Sequence, residues 1–166
     1  SLINRIQMRG RFVQDQHRCV LEKRAGDGHA LALTTRQAGA TLANDVSMLG
    51  DADMAAVIAS KGVPIVVSHI RQGGHNGDVL EDVISDLEGA IARLVKAGVE
   101  RSNVIVDPGI GFAKNGGQSI ELMRSAALLR ERIRLPLLVG TSRKSFIGAV
   151  TGEPIEDRRF GTAATV

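Results

Sequence analysis

Four short apolar runs, each ending abruptly in glycines or polar and charged residues, constrain most strongly what this chain can form. They cover residues 39–43, 63–67, 104–106 and 137–139. Apolar runs of this length read as strands buried on both faces, the pattern of a parallel sheet covered by helices. Helical periodicity fills the intervals. Residues 51–61 carry Met54, Val57 and Ile58 as one stripe, with Asp51 or Asp53 as N-cap and Gly62 after the last turn. Beyond Asp78, the residues Leu80, Val83, Ile84, Leu87, Ile91, Leu94 and Val95 recur on one helical face until Gly98. The pattern over 120–133 predicts a further helix with Leu122, Met123, Ala126, Leu129 and Ile133 inward, and 158–164 predicts the start of another. Strands alternating with helices imply right-handed βαβ units, hence an α/β fold with parallel strands.

The chain of 166 residues is long enough for one domain, taken as 1–166, with a substantial core. A complete (β/α)8 barrel runs to about 250 residues, so a barrel built from this chain is a partial (β/α)8 barrel. Residues 1–36 are atypical: polar and basic side chains crowd Arg9 to Arg24, a turn is expected at Gly26-Asp27-Gly28, and Phe12-Val13 and Val20-Leu21 hint at short strands. No chemistry is assigned to them. The net charge of +3 is dispersed, and four Phe with no Trp or Tyr offer no stacking surface, which argues against nucleic acid. No run of about 18 apolar residues is present to span a bilayer. The single Cys19 rules out an intrachain disulfide and suits a reducing cytoplasm. The four His have no metal-finger spacing, and no metal ligand is assigned.

In a parallel sheet, open or closed, ligands bind at the carboxyl ends of the strands. Those ends carry Asn44-Asp45, Ser68-His69-Ile70-Arg71, Asp107, and Thr141 to Lys144. At the third, Pro108 holds Asp107 out of helical geometry, and Gly109 and Gly111 permit close approach of backbone to a flat ligand. At the fourth stand hydroxyls and two cations. One place wants an acceptor and the other donors. A pterin or purine-like ring presents two N–H donors beside a carbonyl, and the carboxylate of Asp107, the amide of Asn44 and the ammonium of Lys144 are the types that edge needs. Phe112 supplies a face for the ring, and Arg143 suits an anionic group. Taken singly, Asp-Pro-Gly is a turn signal, Asn44-Asp45 a cap, and His69 a packing residue.

Order and placement together add a resemblance. Over residues 38–166 the chain resembles the dihydropteroate synthases, through Asn44-Asp45-Val46-Ser47, Ser68-His69-Ile70-Arg71, Asp107-Pro108-Gly109-Ile110-Gly111-Phe112-Ala113-Lys114, Gly140-Thr141-Ser142-Arg143-Lys144-Ser145-Phe146-Ile147-Gly148 and Gly161-Thr162-Ala163-Ala164. The resemblance implies a barrel enzyme, a transferase that condenses 6-hydroxymethyl-7,8-dihydropterin pyrophosphate with p-aminobenzoate, often with Mg2+ as cofactor and as a homodimer. It implies that Asn44 and Asp107 hold the pterin, that Lys144 contacts it near the aminobenzoate, and that Ser142 and Arg143 border the aminobenzoate and anion region. Phe112 lines the site, and Gly140 belongs to the same motif. The chain departs from the family pattern where Met48-Leu49 replaces a Gly-Gly and where Ser68 replaces a methionine that packs on the pterin. The family's first loops, its Ile-Asp-Thr motif and its Arg-x-His motif have no counterpart, so the pyrophosphate half of the site is expected to be largely missing. The alternative reading is a non-catalytic pterin-binding or partner protein whose barrel another chain completes.

Overall fold

The computed structural model describes residues 19–23, 40–75 and 77–165. Four strands, β1 (Cys19–Lys23), β2 (Ala40–Asp45), β3 (Ile65–Ser68) and β4 (Val104–Asp107), form one sheet in the order β1-β2-β3-β4. All three pairings are parallel. Val20-Leu21 thus lie in a strand paired with β2, whereas Phe12-Val13 and the turn at 26–28 fall outside the described residues. Consecutive order without a reversal is the layout of a barrel wall rather than of a doubly wound sheet. This is a partial (β/α)8 barrel.

The helices are α1 (Met54–Lys61), α2 (Val79–Lys96), α3 (Gly116–Arg124), α4 (Ala126–Ile133), α5 (Ser145–Thr151) and α6 (Arg159–Ala163). Three of the four expected strands run a residue or two past their apolar runs, so that Asp45, Ser68 and Asp107 end strands instead of following them. The fourth run does not become a strand. Leu137 makes an isolated parallel bridge to Val106, and Leu138 N–H donates to the Val106 carbonyl at 2.8 Å. With a partner on one side only among the described residues, the run has half of a strand's hydrogen bonds to hold it extended. The single helix expected over 120–133 is two, broken at Ser125, and it starts earlier. The earlier start has a local cause in a reciprocal capping box: Asn115 Oδ1 accepts from Gln118 N–H at 2.9 Å, and Gln118 Oε1 from Asn115 N–H at 3.0 Å.

Pleating separates the two faces of the sheet. Ala43, Ile65, Val67, Val104 and Val106 point toward the helices and join Val83, Leu87, Ile91, Leu94, Leu122 and Leu129 in the core. The alternate residues, Asn44, Val66, Ser68, Ile105 and Asp107, occupy the opposite face, which is the barrel interior. Helix α2 is the main cover and is well begun: Asp78 Oδ1 accepts from Leu80 N–H at 2.9 Å and from Glu81 N–H at 3.2 Å. Asp78→Ala is expected to lower stability by about 1 kcal/mol, read as a shift of the urea unfolding midpoint at unchanged slope.

Candidate functional site

Strand register assembles the rim. Ser68 lies opposite Asp107 across β3 and β4, and its hydroxyl donates to Asp107 Oδ2 at 3.3 Å. Gly109 N–H donates to Oδ1 at 2.8 Å, and the Asp107 carbonyl accepts from His69 N–H at 2.8 Å. Asp107 is 6% exposed, and that burial pushes its carboxyl above the usual range, against the pull of the Gly109 N–H, Lys144, Ser68 and Lys114. A buried carboxylate with lone pairs remaining is a strong acceptor for a ligand that brings paired N–H donors.

The loop after β4 lies close against its neighbours. A Cβ at Gly109 (φ +66) would overlap the carbonyl oxygen of His69, and one at Gly111 (φ +77) would come within 3.0 Å of Lys144 Cδ. Only glycine fits at 109, and at 111 a side chain would be strained by its φ and would press on the Lys144 stem. The stem of Lys144 lies across Gly111, its ammonium donates to the Ile110 carbonyl, and it stands 4.4 Å above the centre of the Phe112 ring. Burial lowers the Lys144 pKa and the Asp107 charge opposes the shift. Asp107, Ser68, Phe112 and Lys144 are therefore brought together as one cluster.

Gly140 is buried and Ser142 half-buried in the loop that leads to Lys144. Arg143 adopts φ +51, an unusual conformation for a side-chain-bearing residue, and two partners hold it: its N–H donates to Thr162 Oγ1 at 2.9 Å and its carbonyl accepts from Arg158 Nη1 at 3.3 Å. The positions of Arg158 and Thr162, 15 and 19 residues away, gave no signal of this role. Asn44 shares the interior face with Asp107. Two inter-strand spacings, about 10 Å, separate β2 from β4, a span that a bicyclic heterocycle bridges. Asn44 Oδ1 is buried and makes no hydrogen bond, one of three such buried side-chain atoms among the described residues. A ligand N–H would satisfy it.

Its neighbour Asp45 faces the other way. It is 1% exposed and accepts from Ser47 N–H (3.0 Å), Ser47 Oγ (2.5 Å) and Leu49 N–H (2.5 Å). These bonds explain how Met48 and Leu49 tolerate φ of 55 and 58, the left-handed region that a Gly-Gly would enter without strain. Arg93 of α2 adds donors to the Met48 carbonyl at 2.9 Å and the Leu49 carbonyl at 3.4 Å.

Behind the rim is a polar network to which the sequence reading assigned no role in the site. His69 is fully buried, its Nε2 lies 3.0 Å from Asp86 Oδ2, and its Nδ1 lies 2.9 Å from Lys114 Nζ. Burial, with the nearby Lys114 charge, lowers the His69 pKa to about 4. Burial lowers that of Lys114 to about 8. Arg71 pairs with Asp86 at 2.7 Å and with Asp82 at 2.9 Å. A cation seven positions past a strand-end carboxylate, in a glycine-rich loop, was the one visible signal of Lys114.

Comparison with known proteins agrees with this geometry. The chain is 42% identical over 130 residues to a dihydropteroate synthase of Clostridium beijerinckii, covering 78% of this chain and 48% of the relative. It is 42% identical over 131 residues to that of Bacillus subtilis, covering 78% and 46%. Among solved structures, dihydropteroate synthase from Clostridium difficile in the presence of pteroic acid superposes with a TM-score of 0.78 at 32% identity, covering 87% of this chain and 54% of that one. The Xanthomonas albilineans dihydropteroate synthase in complex with 7,8-dihydropteroate gives 0.81 at 29% identity, covering 88% and 54%. The chain spans about half the length of the curated relatives it matches. With the pterin binding enzyme family matching residues 29–166, and with a buried acceptor carboxylate, an unpartnered amide oxygen and an ammonium on one barrel rim, the chain belongs to the pterin binding enzymes.

Proposed function

We propose that this chain forms the pterin-holding part of a dihydropteroate synthase, a transferase that joins 6-hydroxymethyl-7,8-dihydropterin pyrophosphate to p-aminobenzoate in folate biosynthesis. The observation that carries this reading is the buried Asp107 carboxylate at the end of β4, faced by the loop that Lys144 crosses above Phe112. Asp107 accepts from two N–H groups of the pterin edge, Asn44 Oδ1 takes a further ring N–H, and Lys144 donates to a ring acceptor. Ser68 and Gly140 shape the pocket floor, and Phe112 lines the site beside the ring.

In the reaction the bond from the pterin methylene carbon to the pyrophosphate oxygen breaks, and a bond to the aminobenzoate nitrogen forms with loss of one N–H proton. Positive charge develops on that carbon, and the electron-rich ring shares it. A carboxylate on the ring's donor edge stabilises this state more than the ground state. Ser142 and Arg143 border the entering aminobenzoate and the departing anion. The described residues include no group of three or more His, Cys, Asp or Glu side chains suited to a metal ion. Mg2+, the cofactor that the family resemblance implies, remains part of this proposal; no ligand for it is assigned among the described residues, and no step is routed through it.

Homodimerisation and a cytoplasmic location complete the reading. Exposed Val150, Ile155 and Phe160 (72%) near the last two helices support self-association. No described helix is long and apolar enough to cross a membrane.

Calorimetric titration with the pterin pyrophosphate, followed by a pyrophosphate-release assay with aminobenzoate, tests the proposal. One-to-one binding with release supports it. Binding without release assigns the chain a non-catalytic pterin-binding role, and no binding heat removes the pterin assignment.

A further inference from the structure

Three of the five residues from Gly109 to Ala113 have positive φ: Gly109 (66), Gly111 (77) and Ala113 (49). A loop so bent needs tethers, and it has an ammonium on each side. From one side Lys144 donates to the Ile110 carbonyl. From the other, Lys114 Nζ reaches His69 Nδ1 at 2.9 Å, the Gly109 carbonyl at 3.1 Å and the Phe112 carbonyl at 3.2 Å. An ammonium has three protons, and all three are engaged. That assignment determines the state of His69. Its Nδ1 accepts, so its proton sits on Nε2 and is donated to Asp86 Oδ2. Asp86 is held in turn by Arg71, which also binds Asp82, and Asp82 accepts from His75 Nδ1 at 3.0 Å. The chain of contacts runs from the carboxylates of α2, through a neutral imidazole and an ammonium, to the loop that carries Phe112. His69 also donates its backbone N–H to the Asp107 carbonyl.

We propose that Lys114 is a positioning residue: by locking loop 109–114 onto neutral His69, it places Phe112 and the Asp107 carboxylate for a planar heterocycle with paired N–H donors. The inference rests on the pterin reading of the site. A neutral side chain of equal length would not serve, because the ammonium is also one of two cations that favour the ionised form of a carboxylate whose burial opposes ionisation. Its own proton is held loosely, with a pKa of about 8, and the facing imidazole stays neutral down to about 4 under burial, the Lys114 charge and His75, against the pull of Asp86.

The test uses Lys114→Met and, to keep the charge, Lys114→Arg, each checked for folding by circular dichroism. Two readouts are needed. The first requires no ligand: nitrogen-15 NMR of the imidazoles should show His69 as the Nε2–H tautomer and neutral at pH 5 in the wild type. In Lys114→Met its titration should move up from about 4, though burial still holds it below the ordinary value, and the single tautomer should be lost. The second is binding of 6-hydroxymethylpterin against pH. Lys114→Met should weaken it about tenfold at pH 7 and shift its acid limb upward by about one pH unit, since Asp107 has lost a nearby cation. Lys114→Arg should leave that limb in place. An unchanged His69 in Lys114→Met overturns the lock, whatever pterin does. Affinity reduced equally at every pH marks a plain loop staple and overturns the electrostatic role. No pterin binding by the wild type, with the His69 response intact, overturns the ligand assignment and the positioning role with it, while the Lys114–His69 contact stands.

Discussion

Asp107→Asn is expected to weaken pterin binding by at least about a hundredfold while leaving the fold as stable as before, or more so. The amide is nearly isosteric. Its oxygen can keep the Gly109 N–H and its NH2 can donate to the Ser68 hydroxyl, which is free to rotate, so both internal partners survive. The ligand edge meets something different: an NH2 now stands where paired N–H donors need an acceptor. Each lost charge-assisted bond is worth about 1.5 to 3 kcal/mol, and two of them account for the hundredfold or more. Stability moves the other way because burial already disfavours the Asp107 charge. Calorimetry with a pterin and urea unfolding on the same samples check both halves. A variant that binds normally would mean that Asp107 does not face the ligand.

Between pH 6.5 and about 4 the protein is expected to lose about 3 kcal/mol of stability, and His69 is the cause. Its folded pKa, near 4, lies below the ordinary 6.5, so over this window the unfolded chain binds a proton that the folded chain refuses. Stability therefore rises with pH across the window and is lost on acidification. The direction is distinct from that of its neighbours. Asp82 and Asp86, with lowered pKa values, lose stability only below the usual carboxylate range, and Asp107, whose pKa is raised, gains some on acidification. Urea midpoints across pH for the wild type and for His69→Gln, which cannot titrate, isolate the effect. The slope between pH 4 and 6.5 should flatten in the variant, and an equally steep slope would place the acid sensitivity elsewhere.

The parts of the fold that could be read in advance were those governed by local pattern. Three of the four apolar runs became strands, the helix beginning at Asp78 starts and ends where its cap and Gly98 predicted, and Gly62 closes α1 with φ +61. The misreadings arose where local pattern competes with something less regular. The stripe of Leu122, Leu129 and Ile133 continues on one face through Ser125, so periodicity could not show the break there. The run at 137–139 has strand composition but a partner on one side only among the described residues.

By itself the sequence determined that strands and helices alternate, that the strands are parallel, and that glycines, an acceptor and cations gather at their carboxyl ends. These follow from periodicity and from residue chemistry within a few positions. The tertiary structure alone showed how two adjacent residues divide: register turns Asn44 inward with Asp107 and turns Asp45 outward to secure Met48 and Leu49. It alone joined Ser68 to Asp107 across 39 residues and Lys114 to His69 across 45. Contacts of that kind depend on strand pairing and loop packing, which bring together segments whose separate sequences carry no mark of each other.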